Sequence, residues 1–262
     1  MATLLPFHTQ LANAWNLFLS RWGVAIGLQL IMLIPPIFMR PLMNEYLSAV
    51  NQGIDPSFVY QSSVYGTQFI FGFFLLLFLG VLVMSATMIL FAAKKKLSFM
   101  TVIKEAIWRY IPVLYTSVLA AFAVVVALIP AQALNMWYAA AARSGLDLSE
   151  SGILAVDSIM VIALVALLIP AAIVAAWVVY APLATAVKDA PAGFTAMMYS
   201  KHLVHGHLWP VFWRMFGSLL LFQVISRSVD SLPMATTLVP FVLAIVTVAF
   251  FVEVYKELRG KV

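Results

Sequence analysis

The sequence predicts an all-α, polytopic membrane protein: one bundle of six transmembrane helices that forms a single domain over residues 1–262. Hydrophobic residues make up 64% of the chain and charged residues only 10%, against about 45–50% and about 25% in soluble domains. Apolar runs recur along the chain at about 20 residues each, the length that a helix needs to cross a bilayer. Cys is absent, which excludes disulfides and thiolate metal sites.

The chain begins with an amphipathic stretch. Apolar residues from Phe7 to Phe18 follow helical spacing, which predicts an interfacial helix. The first span is predicted at 24–39, with a Pro-Pro pair near its far end. Because the first basic residue, Arg21, comes after this apolar stretch, we expect no cleaved signal peptide.

Five further spans follow in order. The second ends at a lysine triplet that begins with Lys94, and a second amphipathic stretch, Phe99–Tyr110, precedes the third. Asp157 is expected at the membrane edge, where the fourth span begins, because a charge inside the bilayer is costly. These spans are predicted at 66–92, 111–135, 158–180, 208–225 and 235–255.

The basic residues indicate the orientation. With both termini on one side, 12 of the 15 basic residues lie on that side. Basic residues collect on the cytoplasmic side of membranes, so both termini are predicted to be cytoplasmic, as are the interfacial helices. The lysine triplet could extend to the phosphate level or bind a lipid headgroup, but orientation alone explains it. It also explains the formal charge of +5 without a nucleic-acid partner.

Spaced aromatic residues suggest a threefold internal repeat. Phe7, Phe99 and Phe194 each open an amphipathic stretch that leads into a span. The simplest interpretation is three units, each an interfacial helix followed by a helical hairpin. Internal repeats are common in transporter folds, although they also build other bundles.

The spans offer little chemistry. They contain polar residues such as Thr116 and Thr185, which we expect to hydrogen-bond between helices. The scarcity of ionisable residues within the spans argues against a proton-coupled transporter. The sequence shows no phosphate-binding loop, metal motif or nucleophile elbow. We therefore expect no enzyme activity, cofactor or metal site.

The segment Val187–Arg214 is the most distinctive connection, because it holds three of the four histidines among aromatic and basic residues. Drawn as a helix, it places Lys201 and His205 inside an apolar stripe. Such a lysine either extends to the phosphate level or binds a lipid headgroup, with the histidine as a second donor. Metal binding by the histidines is the weaker alternative. The candidate residues for headgroup binding are Lys201, His205, His202, Arg214 and Trp209.

The same region carries a family pattern: Ala181-Pro182, the turn Asp189–Gly193, and then Ala196, Ser200, Leu203, Gly206 and Trp209. It resembles the membrane domain attached to some glycerophosphodiester phosphodiesterases, and related stand-alone six-helix proteins. The resemblance implies a bacterial inner-membrane location. It implies no enzyme activity, because the soluble catalytic barrel of the fused proteins has no counterpart here. The histidines lie outside the shared pattern.

Three functions remain open. The leading hypothesis is a non-enzymatic protein that binds membrane lipids, or a protein partner at its cytoplasmic face, in envelope or membrane homeostasis. The alternative is a permease or transporter subunit for a small or lipidic substrate. Helix-breaking residues such as Pro170 and Pro240 could shape the cavity that it needs. An enzyme would require a polar constellation assembled from separate helices.

Overall fold

A computed structural model describes residues 4–52, 63–143, 150–228 and 235–260, and the regular structure in these ranges is helical. One short 3₁₀ turn, Ile31–Leu33, separates the first two helices. The α-helices in chain order are α1 Phe7–Leu30, α2 Ile34–Asn51, α3 Ser63–Ala92, α4 Phe99–Trp108, α5 Tyr110–Arg143, α6 Glu150–Val178, α7 Ala181–Ala186, α8 Phe194–Val204, α9 Leu208–Ser228 and α10 Ala235–Arg259.

Six segments are long and apolar enough to cross a membrane, which confirms the predicted six-helix bundle and a multi-pass membrane protein. Their surfaces agree with this class. Ile37, Phe122 and Ile162 are 68%, 64% and 69% exposed, an arrangement that lipid tolerates and water does not. The six segments are Phe7–Ile37, Ile70–Ala92, Tyr110–Ala140, Ser158–Ala186, Leu208–Ser228 and Val239–Arg259.

Small residues let the helices approach closely. Helix α1 packs against α10, and α5 against α6. Ala14 and Ala25 of α1, Ala86 of α3 and Ala249 of α10 are completely buried in the core of the bundle. Close backbone approach through small residues is the usual way in which membrane helices associate, because lipid removes the hydrophobic driving force between them.

The first helix differs from the prediction. An interfacial helix followed by a span at 24–39 was expected, whereas α1 continues without a break from Phe7 to Leu30. No proline interrupts the segment, and Arg21 stays within the helix because its Nη2 donates to the Ala93 carbonyl at 2.6 Å. The break comes instead at the 3₁₀ turn ahead of Pro35-Pro36, whose missing N–H groups are tolerated in the first turn of α2.

The proposed repeat starts at helix boundaries. Phe7, Phe99 and Phe194 are the first residues of α1, α4 and α8. Helices α4 and α8 are short and separate from the spans that follow them, whereas α1 is continuous with its span. The three units are therefore not alike in this respect, and the threefold repeat stays a prediction.

Candidate functional site: a basic cavity at one end of the bundle

A cavity of about 380 Å³ lies where the C-terminal ends of α3 and α10 meet α4 and the residue that follows α7. We call it the basic cavity, because four cationic side chains line it and Glu105 is its acidic lining residue. The cations are Lys94, Arg109, Lys256 and Arg259.

Three of these cations are paired. Arg109 Nη2 lies 2.7 Å from Glu105, and Lys256 Nζ lies 2.8 Å from Glu253. Arg259 Nη2 lies 2.9 Å from Asp189. Within the described residues, no carboxylate lies within ion-pair distance of Lys94. The group of four cations and three carboxylates therefore carries one excess positive charge, which an anion would neutralise.

The connection between α3 and α4 positions Lys94. Helix α3 ends at Ala92, and Arg21 binds the carbonyl of the next residue at 2.6 Å. Ser98 then caps α4, accepting a hydrogen bond from the Thr101 backbone at 3.3 Å, as is typical of a helix N-terminus. The lysine triplet therefore occupies a short connection whose two ends are both fixed by hydrogen bonds.

Asp189 lies beside the basic cavity and binds two of its lining residues on α10, Tyr255 and Arg259. Its side chain is 9% exposed, and it accepts a hydrogen bond from the Tyr255 hydroxyl at 2.5 Å besides pairing with Arg259. Its backbone N–H donates to the Ala184 carbonyl at 2.9 Å. A carboxylate with two partners of this kind fixes the start of the Val187–Arg214 connection against the last turns of α10.

A second polar junction joins α1, α9 and α10. Arg214 donates from Nε to Gln10 at 2.6 Å and from Nη2 to the Leu5 carbonyl at 2.7 Å. Glu257 accepts from Gln10 at 2.5 Å and from the Leu5 backbone at 2.6 Å. The polar groups of these side chains hydrogen-bond to one another and to the Leu5 backbone. The junction therefore fixes the N-terminal residues to the end of α10.

The candidates for headgroup binding differ in their surroundings. Lys201 and His202 are exposed on α8, and Trp209 is exposed on α9. His205 lies beyond the end of α8, because the helix stops at Val204 and Gly206 adopts a φ of +83°. The predicted helical stripe that joined Lys201 to His205 was therefore wrong about His205. Arg214 is directed to the junction described above.

Lys201 has a different partner. Its Nζ lies 4.6 Å from the centre of the Trp177 ring, a cation–π contact between α8 and α6. The face of α8 that packs into the bundle carries instead the buried residues Ala196, Ser200 and Leu203, three positions of the family pattern. Ser200 Oγ accepts a hydrogen bond from the Tyr180 backbone at 3.2 Å.

Sequence reasoning missed the basic cavity. Lys256 was counted only as an orientation signal, Lys94 was considered for headgroup binding but assigned to orientation, and Asp189 was treated as a turn residue. A signal was available, since the cavity's four cations all lie just beyond or at the end of helices on the basic side. What one sequence could not supply was which of those ends meet.

The chemistry of the cavity suits an anion. Lysine and arginine donors bind phosphate and carboxylate groups strongly when the site is partly removed from water. Across the described part of the chain, no three His, Asp or Glu side chains come together as metal ligands. The donor set of the basic cavity would repel a cation.

Comparisons with protein-family models, with curated proteins and with solved structures found no match. The resemblance to the membrane domain of glycerophosphodiester phosphodiesterases therefore stays a prediction.

Proposed function

We propose that this is a non-enzymatic protein of the bacterial inner membrane that binds a phosphate-bearing anion in the basic cavity, on the cytoplasmic side. The observation that carries the proposal is the unpaired Lys94 beside three paired cations in one cavity. The 12-to-3 distribution of basic residues supports the orientation, because cytoplasmic ends of membrane proteins are enriched in Lys and Arg.

Phospholipid headgroups are the phosphates most abundant at this position. The cavity lies at the ends of α3 and α10, the level at which a spanning helix meets the headgroup layer. Basic pockets between transmembrane helices on the cytoplasmic side are known to take anionic headgroups. Binding there would give the protein a role in sensing or organising anionic lipid in the envelope.

The lysine triplet offers a matched test. All three lysines are exposed, but only Lys94 lines the cavity. We would record native mass spectra in mild detergent with added dioleoyl-phosphatidylglycerol, for the wild type, Lys94→Glu and Lys95→Glu. The charge change is identical in both variants.

Lys94→Glu should weaken binding about tenfold or more, because each basic group near an anionic headgroup contributes about 1 kcal/mol and the reversal counts twice. Lys95→Glu should stay near the wild type. Equal losses in the two variants would mean that diffuse surface charge retains the lipid, and the cavity would lose its proposed role.

A further inference from the structure

A second cavity, of about 270 Å³, lies between α3, α7 and α10. We call it the apolar cavity, because its lining residues other than Tyr180 and Thr247 are apolar. Met84 and Met88 form its α3 side, and Val248 belongs to its α10 side. Methionine side chains are flexible and adapt to irregular apolar ligands.

The same three elements line both cavities, with different residues in each. On α3, Met88 lines the apolar cavity and Ala92, four residues later, lines the basic one. The same spacing relates Leu183 to Val187 at the end of α7. On α10 it relates Phe251 to Tyr255, and Val252 to Lys256.

Residues four apart lie on the same face of a helix, about one turn or 6 Å from each other. The basic cavity therefore lies one turn beyond the apolar cavity along the same seam, in the direction of the basic end. All three elements run in the same direction across the two cavities. This repeated offset places the two cavities in succession along one seam, the basic one at the end of the helices and the apolar one further inside the bundle.

We propose that the two cavities act as one site for a single anionic phospholipid, with its phosphate in the basic cavity and part of an acyl chain in the apolar cavity. The inference rests on the proposed function and names its ligand. A free phosphate would not fill the apolar cavity. A neutral hydrocarbon would not neutralise the excess positive charge beside Lys94. A phospholipid has both parts, joined in the order in which the cavities follow each other.

Two valines of α10 provide the test. Val248 lines the apolar cavity, whereas Val242 lines neither cavity, and both are half-buried residues packed against the same core. Val248→Phe fills the cavity and Val242→Phe adds the same volume elsewhere on the helix. Val248→Ala enlarges the cavity and controls for loss of packing at the position itself.

Two probes distinguish binding of the lipid acyl chain from binding of the headgroup. Retention of dioleoyl-phosphatidylglycerol would be followed by native mass spectrometry. Binding of glycerol 3-phosphate, which carries the phosphate without chains, would be followed by the shift that it causes in the melting temperature. Lys94→Glu is measured beside the valine variants with both probes.

Val248→Phe should lower phospholipid retention about tenfold and leave the glycerol 3-phosphate shift unchanged, while Val242→Phe and Val248→Ala retain the lipid. Lys94→Glu should reduce both signals. If Val248→Phe retained the phospholipid like the wild type while Lys94→Glu lost it, the apolar cavity would not bind the acyl chain. The anion site at Lys94 would still be supported. Equal loss in all three valine variants would also overturn the proposed binding of the acyl chain. No effect of Lys94→Glu would remove the proposed function itself.

Discussion

The connection between Val187 and Arg214 contains two parts that differ in their contacts with the helices of the bundle. In the first part, Val187–Gly193, the backbone and Asp189 are bonded to α5, α7 and α10. In the second part, Lys201–His207, Leu203 and Val204 are buried, while the charged and imidazole side chains point away from the core. The residues that look most functional in the sequence lie in the second part. The first part contributes Val187 to the lining of the basic cavity, and its Asp189 binds two further lining residues, Tyr255 and Arg259.

The difference shows that the contribution of a charged side chain to stability depends on its burial and its partners. Asp189 has one carboxylate, but it is mostly buried and has two partners, whereas Lys201 has one ring contact and an exposed side chain. Exposed interactions contribute little to stability, and partly buried charged hydrogen bonds contribute about 1.5–3 kcal/mol. Substitutions in the first part should therefore cost far more stability than those in the second.

The largest expected effect is that of Gly193→Ala. Gly193 is buried with a φ of +85°, and a Cβ there would overlap the Tyr115 ring. Its N–H also donates to Thr116 Oγ1 at 2.8 Å. We expect the free energy of unfolding to fall by about 2–3 kcal/mol, measured from melting curves in detergent by tryptophan fluorescence.

Gly206→Ala is the matched control for the second part. Gly206 has nearly the same φ, +83°, but nothing lies within 4 Å of the position that its Cβ would take. The backbone strain alone should cost about 1 kcal/mol. Equal losses at the two glycines would contradict the distinction between a packed and an exposed part.

Asp189→Asn should have the next largest effect. The amide keeps the shape but loses the charge opposite Arg259 and weakens the bond from Tyr255. Because Arg259 is 57% exposed, water screens part of the loss, and we expect about 1–2 kcal/mol. Since the variant also releases a cation beside the basic cavity, phosphatidylglycerol retention should stay the same or rise. If phosphatidylglycerol retention fell while stability stayed unchanged, Asp189 would support lipid binding instead of only neutralising Arg259.

Composition and spacing were sufficient to predict the class of the fold. Apolar runs determine where helices form, since each helix satisfies its own backbone in lipid. The expected bonds between helices also appear at Thr116 and Thr185, whose hydroxyls lie 3.2 Å apart. The α1 boundary was missed because the amphipathic stretch and the first span were predicted as separate elements, whereas the helix continues through Arg21, whose side chain donates to the Ala93 carbonyl.

The basic cavity could not be predicted for a related reason. Lys94, Arg109 and Lys256 are up to 162 positions apart in the chain, and only the packing of α3, α4 and α10 brings them together. Helical periodicity describes one element at a time. It cannot indicate which helix ends meet. His205 was placed wrongly for a similar reason. The helical periodicity was continued through Gly206, although the helix ends at Val204.

Arg214→Lys tests the polar junction at the end of the Val187–Arg214 connection, beyond the second part. The guanidinium reaches Gln10, Leu5 and Pro210 in separate directions, which a single ammonium group cannot reproduce. We expect a loss of about 1 kcal/mol and earlier proteolysis of the N-terminus in limited digestion. Arg227→Lys, at an exposed site on the same helix, should be neutral. An Arg214→Lys variant as stable as Arg227→Lys would show that the junction does not stabilise the N-terminus.

The smallest effect is expected for Lys201→Glu, the substitution that the sequence alone would favour most. The exposed side chain loses only its contact with Trp177, so stability should change by about 0.5–1 kcal/mol. Phosphatidylglycerol retention should stay close to that of the wild type, because the basic cavity keeps all four cations. His205→Ala should behave in the same way. If Lys201→Glu released the lipid and Lys94→Glu retained it, the second part of the connection would be the headgroup site, and the basic cavity would be a structural feature of the helix ends.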